Sequence, residues 1–213
     1  MKKALGFTFL FVIISGILSG LFLSPLNYSM TGPSKNISQT MTSFAGNSTS
    51  VQLSIVGYLI EACAIVLLAV LLYKILKKEN KVIAFWAFGL WILEAVFLAM
   101  RQIYAFCLLF VSKEFALNPF AHHLTLGNLF YELMHFSYDV QMIFYCVGGV
   151  MFYYLFFKSK VIPKSLSLFG IIVATIAFFG EVFVILGNVV PLYVFLPILL
   201  FELAIGFYLL LKK

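Results

Sequence analysis

Residues 82–111 read VIAFWAFGLWILEAVFLAMRQIYAFCLLFV, a continuous apolar run in which only Glu94 and Arg101 carry a charge. A helix rises by about 1.5 Å per residue, so about 20 residues cross a hydrocarbon core of ~30 Å. This run is longer than that. Because backbone polar groups in lipid must be paired within their own segment, the run predicts a membrane-spanning helix.

Five further apolar runs of spanning length surround this one. Of the 213 residues 63% are hydrophobic and 10% are charged, whereas a soluble domain has about 25% charged residues. This composition excludes a soluble enzyme, a nucleic-acid-binding domain and a disordered regulator. We therefore predict an all-α bundle of six membrane helices that forms one domain over residues 1–213, with the lipid bilayer as partner. The predicted spans are residues 4–24, 51–76, 82–111, 126–157, 165–187 and 191–211.

Positive charge lies almost entirely on one side of these spans. The connections at 77–81 and 158–164 are basic, whereas those at 112–125 and 188–190 and the polar loop 25–50 hold only Lys35 and Lys113. The positive-inside rule then predicts that both termini are cytoplasmic and that loop 25–50 is exterior. We interpret the chain as a multi-pass protein of the bacterial cytoplasmic membrane.

The first span resembles a signal peptide only in part. Its apolar run is longer than a usual signal core, and no clear A-x-A cleavage site follows it. We therefore expect residues 4–24 to be retained as a membrane helix.

Small and aromatic residues mark further features of the spans. Gly16 and Gly20, and the pair Gly148-Gly149, permit close helix contacts. Tyrosines near the predicted cytoplasmic ends fit an interfacial aromatic belt; they are Tyr73, Tyr153, Tyr154 and Tyr208.

The acidic residues are the most informative feature of the sequence. Of the eight, all but Glu79 and Glu114 lie in spans or their extensions: Glu61, Glu94, Glu132, Asp139, Glu181 and Glu202. An ionised carboxylate at mid-bilayer costs at least ~2.5–3.5 kcal/mol, so these side chains are expected to face the bundle interior.

Helical rise sorts these groups by depth. Glu94 and Glu202 fall at about 14–18 Å from the cytoplasmic end of their spans, and we predict that they line a central binding site. Glu61, Asp139, Glu181 and Arg101 fall at about 22–28 Å, and we predict that they form an outer gate or salt-bridge network. Arg101 can pair with one or two carboxylates through its planar guanidinium.

Two interpretations of the buried acids remain open. A carboxyl without a cationic partner is expected to be protonated when buried, and such a group suits proton-coupled transport or general-acid chemistry. Alternatively, a neutral carboxyl serves only as a hydrogen bond between helices, as Gln or Asn would.

The fourth span carries a second polar pattern. Glu132, His135 and Asp139 have the i, i+3, i+7 spacing that lines one helix face. Some helical metal sites use Glu-x-x-His, but they need a second such motif, and no other span holds a histidine. We therefore expect no metal site, and we predict instead a polar face where this helix emerges on the outside.

Most of the chain, and its second half above all, is similar to a known family. The segment from "YELMHFSYDVQMIFYCVGGVMFYYLFFKSKVIPKSLSLFGII" to "VFLPILLFELAIGFYLLLKK" resembles the bacterial integral membrane family catalogued as domain of unknown function 4386. The matching elements include the turn at residues 158–166, the last helix with Pro197 and Glu202, and "LWILEAVFL" around Glu94. This chain has Trp91 where the family often has an arginine. The resemblance implies a six-helix membrane fold and no assigned chemistry.

The resulting functional prediction is a binding or transport protein for a proton, a cation or a small cationic or amphipathic solute. Six helices are few for a lone transporter, which suggests a homodimer. The first alternative is an intramembrane enzyme acting on lipid or peptide at Glu132, His135 and Asp139, although H-E-x-x-H, phosphate-binding-loop and G-x-S-x-G motifs are absent. The second alternative is an accessory, immunity or sensor subunit. No cofactor is expected.

Overall fold

The computed structural model describes residues 1–23 and 36–212. Within them the chain forms seven α-helices and no strand, which confirms the predicted all-α class. The helices are α1 (Lys2–Leu23), α2 (Ile37–Gly46), α3 (Ser48–Leu76), α4 (Lys81–Leu117), α5 (Ala121–Ser159), α6 (Lys164–Ile185) and α7 (Leu196–Leu211). Every helix except α2 is part of a segment long and apolar enough to cross a membrane, so the chain is a multi-pass membrane protein with the six predicted spans.

The predicted polar loop 25–50 is partly wrong. Its residues 25–35 lie outside the described part of the chain, but Ile37–Gly46 forms α2. The Asn36 side chain accepts a hydrogen bond from the Gln39 backbone nitrogen at 3.2 Å, which caps the helix. Met41 and Phe44, three residues apart on one helix face, are both buried. This short apolar face, together with the cap, stabilises a helix where overall polarity predicted a loop.

The last span begins with a 3-10 turn rather than with α-helix. Leu192–Val194 forms a 3-10 turn, and α7 starts only at Leu196, with Pro197 in its first turn. A proline there loses no helical hydrogen bond, because the first backbone N–H groups have no partner within the helix. Before it, Gly187 has φ +85°, a conformation that suits glycine just beyond the end of α6.

The helices divide into two compact units. The first unit consists of Met1–Ile14, Ala62–Val96 and Asp139–Lys213, and the second consists of Ser15–Glu61 and Phe97–Tyr138. Large aromatic and aliphatic side chains fill the core of the first unit, including Phe9, Leu72, Trp91, Phe152 and Phe201. The core of the second unit is smaller and includes Met41, Phe44, Leu108 and Tyr131.

Candidate functional site

A chain of hydroxyl contacts links α5 to α7 in the first unit. The Tyr145 hydroxyl donates to Oε1 of Glu202 at 2.7 Å. The Tyr145 and Tyr153 hydroxyl oxygens are 3.3 Å apart, and both rings are buried. The half-buried Glu202 carboxyl is thus held by a neutral donor inside the helix bundle, and a second hydroxyl lies directly behind that donor.

Two glycines make this arrangement sterically possible. A Cβ at Gly148 would lie 2.5 Å from Cδ1 of Trp91, and a Cβ at Gly149 would lie 3.2 Å from the Tyr153 ring. The Trp91 ring stacks on Tyr145 with centroids 5.9 Å apart, and its indole N–H donates to the Tyr145 carbonyl oxygen at 3.2 Å. At Gly148 the predicted close contact between helices is confirmed, with Trp91 of α4, whereas Gly149 admits the ring of Tyr153, which belongs to α5 itself.

A pair of carboxyl groups forms the second part of the same unit. Glu181 of α6 is 2% exposed, and its carboxyl is hydrogen bonded to that of Asp139 on α5. A hydrogen bond between two carboxyl groups needs a proton on one of them, because an ionised carboxylate only accepts. The Asp139–Glu181 pair is therefore placed so that two acids can share one proton.

These groups surround a single buried residue. Cys146 is 0% exposed and lies within electrostatic range of Glu94, Glu181 and Glu202. Glu94 itself is 5% exposed. Asp139 contacts Glu181 and adds a fourth acid. Four acids from four helices are thus found in this part of the first unit. We call Glu94, Asp139, Glu181 and Glu202 the carboxyl cluster.

The spans of the first unit supply no basic side chain to this cluster. Residues 4–14, 62–73, 82–96, 139–157, 165–185 and 191–211 contain no Lys, Arg or His. Gln141, one turn before Tyr145 on α5, is 8% exposed, and its Oε1 has no hydrogen-bond donor among the described residues. Within the same residues, no group of three or more His, Cys, Asp or Glu side chains is placed to hold a metal ion.

Arg101 lies in the second unit and is 3% exposed. Its guanidinium carbon is 5.4 Å from the centroid of the Tyr58 ring and 5.0 Å from that of Tyr138. A cavity of about 10 Å³ adjoins Arg101 and Gln102 and is lined also by Ser54, whose buried hydroxyl has no partner among the described residues. That volume is about what one water needs.

Glu61 packs against α1 in this second unit. A Cβ at Gly16 would lie 2.8 Å from Oε1 of Glu61, and a Cβ at Gly20 would lie 3.4 Å from the Tyr58 hydroxyl. The two glycines therefore permit the close approach that their spacing predicted. The predicted grouping of Glu61 and Arg101 with Asp139 and Glu181 stays a prediction.

Glu132 and His135 are in different environments despite their helical spacing. Glu132 is exposed, whereas His135 is 8% exposed and packs against Tyr131 with ring centroids 4.4 Å apart. The predicted polar face of Glu132 and His135 stays a prediction.

Sequence reasoning missed the aromatic part of the site. The prediction that Tyr153 belongs to an interfacial belt is wrong, because the side chain is 1% exposed and contacts Tyr145. The signal was present: helical side chains lean toward the N-terminus, so a glycine four residues before a tyrosine leaves room for its ring. Trp91, Tyr145 and Cys146 gave no comparable signal.

Comparison with known proteins yields one match. A family model described as "Domain of unknown function (DUF4386)" matches residues 4–212. No curated protein and no solved structure matches the chain significantly.

Proposed function

Because the chain belongs to the DUF4386 family, whose description assigns no activity, we propose a function from the chain's own buried acids. In this proposal the chain is a multi-pass protein of the bacterial cytoplasmic membrane, and it binds a proton in exchange for a cation or a small cationic solute. Movement of that solute across the bilayer is the expected outcome, with two copies of the chain acting together.

The observation that carries this proposal is the hydrogen-bonded pair Asp139–Glu181. The pair can share one proton, and removing that proton places two carboxylates side by side. Like charges at such short distance strongly oppose joint ionisation. A bound cation removes this opposition, so cation binding and proton binding exclude each other at the pair.

The remaining groups of the first unit fit the same chemistry. Glu94 and Glu202 add two carboxyls within electrostatic range of Cys146, as does Glu181. The Tyr145 hydroxyl holds Glu202, and the vacant acceptor of Gln141 lies on the same face of α5. A cation prefers such a set of oxygen acceptors, and a protonated amine can donate to them.

Proton release is the measurement that tests this proposal. The full chain is placed in nanodiscs in weakly buffered solution, and proton release is recorded as tetramethylammonium, and separately Na⁺, is added. The wild-type chain is expected to release about one proton per bound cation near neutral pH, because the shared proton is displaced. Glu181→Gln should abolish the release, since glutamine keeps a hydrogen bond to Asp139 but has no titratable proton.

Glu132→Gln provides the matched control. Glu132 is exposed and lies on α5, the helix that carries Asp139, so this variant should release protons as the wild type does. Release that is unchanged in Glu181→Gln would place the displaced proton outside the Asp139–Glu181 pair and contradict the proposal. Release that is absent from the wild type with both cations would mean that the acids serve only as hydrogen bonds between helices.

A further inference from the structure

An apolar groove lies between α5 and α6 in the first unit. It encloses about 260 Å³ and is lined by Cys146, Val147, Val150, Met151, Thr175, Phe178 and Phe179. The only hydroxyl among these residues, that of Thr175, donates to the Ile171 carbonyl oxygen at 2.7 Å. An apolar cavity of about 150 Å³ holds a benzene molecule, so this groove has room for an aromatic ring and several further carbon atoms.

The groove opens at the surface of the first unit and includes residues of α6, a helix long and apolar enough to cross a membrane. Phe179 on its rim is 56% exposed, and its ring packs edge-on against Phe178 with centroids 5.4 Å apart. Thr175 lies roughly 16 Å along α6 from Lys164, which is near the middle of a ~30 Å hydrocarbon core. A molecule dissolved in the bilayer therefore meets this groove at mid-depth.

Cys146 connects the groove to the carboxyl cluster. The residue lines the groove and also lies within electrostatic range of Glu94, Glu181 and Glu202. The groove thus has apolar and aromatic walls, and Cys146 is the wall residue that lies within electrostatic range of three carboxyl groups. The aromatic rings of the groove also favour a cation, because the faces of such rings attract positive charge.

We propose that this groove binds the apolar body of a small lipophilic cation, whose charged group is placed against the carboxyl cluster through the Cys146 side of the groove. This inference rests on the proposed function and specifies its substrate class. Phospholipid is the less suitable occupant, because its charged headgroup stays at the interface and only an uncharged acyl chain reaches mid-depth.

Three related probes test the proposal on the full chain in nanodiscs, with binding measured by titration calorimetry. Benzyltrimethylammonium has both an apolar body and a positive charge. Neopentylbenzene has the same shape without the charge, and tetramethylammonium has the charge without the apolar body. We expect benzyltrimethylammonium to bind at least about tenfold more tightly than either of the others, since one tenfold step is about 1.4 kcal/mol.

Two pairs of variants locate the binding. Phe179→Ala should weaken the binding of benzyltrimethylammonium about tenfold, because one aromatic wall of the groove is lost. Phe183→Ala is its control, because Phe183 is 55% exposed on the same helix and does not line the groove. Thr175→Phe fills the groove and should abolish the preference for the benzyl probe. Ile176→Phe, at a position 51% exposed, should not.

The outcomes separate this inference from the proposed function. Suppose that Glu181→Gln weakens the binding of benzyltrimethylammonium and tetramethylammonium, while Phe179→Ala and Thr175→Phe leave binding unchanged. The groove proposal then fails and the cation site stands. If neither cation binds the wild-type chain, both proposals fail. If neopentylbenzene binds as tightly as benzyltrimethylammonium, the groove holds an uncharged chain and the proposal is overturned.

Discussion

Tyr145 makes three contacts of different kinds, and together they join α4, α5 and α7 of the first unit. Its hydroxyl binds Glu202, its ring stacks on Trp91, and its carbonyl oxygen accepts the indole N–H. A buried polar atom left without a partner costs about 1–3 kcal/mol, so this residue satisfies two groups that would otherwise oppose folding. The same contacts fix the position of the Glu202 carboxyl.

Arg101 gives a residue-scale prediction in the second unit. Its planar guanidinium lies over Tyr58 and Tyr138, and a compact lysine ammonium cannot reproduce that stacking. Arg101→Lys should therefore lower the unfolding free energy by about 1–2 kcal/mol, the range for a desolvated cation–π contact. Thermal unfolding of the purified chain in detergent measures the loss.

Tyr138 supplies the control for this prediction. Tyr138→Phe keeps an aromatic face and should retain most of the coupling to Arg101, whereas Tyr138→Leu should lose it. A double-mutant cycle between Arg101→Lys and Tyr138→Leu isolates the pairwise term. Strict additivity in that cycle would exclude stacking as the stabilising contact.

Glycines determine how closely elements pack in the first unit. A Cβ at Gly6 of α1 would lie 2.8 Å from the Gly206 carbonyl oxygen of α7 and 2.9 Å from the Leu210 nitrogen. Both atoms belong to backbone, which cannot move aside as a side chain can. The contact between α1 and α7 is therefore a backbone-to-backbone approach of the kind that small residues allow in membranes.

Gly6→Ala tests the close packing of α1 against α7. The added methyl group forces the two helices apart, and we expect a loss of about 1–3 kcal/mol, as for other overpacked interfaces. Gly89→Ala on α4 is the matched control, because a Cβ there meets nothing within 4 Å. That control should gain about 0.5–1 kcal/mol from helix propensity. Equal melting temperatures for the two variants would contradict the close contact.

At the scale of the whole molecule, lysines pair with aromatic rings at the C-terminal ends of three helices. Lys77 lies 5.6 Å from the Tyr73 ring centroid, Lys158 lies 4.9 Å from that of Tyr154, and Lys212 lies 5.0 Å from that of Tyr208. Each lysine follows its tyrosine by four residues at the end of α3, α5 or α7. Such pairs suit a membrane interface, where the ring is anchored and the ammonium reaches water. They do not distinguish the two faces of the membrane, so the cytoplasmic orientation of these ends stays a prediction.

Labelling of introduced cysteines tests that orientation. An impermeant maleimide applied to intact bacterial cells should modify Asn118→Cys, in the connection predicted to be exterior. It should modify Lys78→Cys, in a basic connection, only after the cells are opened. The unaltered chain shows how much its own Cys63, Cys107 and Cys146 contribute. Labelling of Lys78→Cys in intact cells would reverse the predicted topology.

The sequence by itself determined the class of the protein and its spans. Apolar runs such as 82–111 exceed the thickness of a bilayer core, and this property depends only on length and composition. Local chemistry also predicted the proximity of Gly16 and Gly20 to a neighbouring helix. The polarity of residues 37–46, in contrast, concealed α2, because its stability comes from burying Met41 and Phe44.

Only the tertiary structure decided which polar groups share a site. The sequence placed Asp139, Glu181 and Glu202 at depths along three separate helices, but rise along an axis says nothing about rotation around it. Packing of Trp91 of α4 on Gly148 helps to fix how α5 faces its neighbours. That rotation brings the Tyr145 hydroxyl to Glu202 and the Asp139 carboxyl to Glu181. Such contacts arise between helices distant in sequence, so no local pattern of residues specifies them.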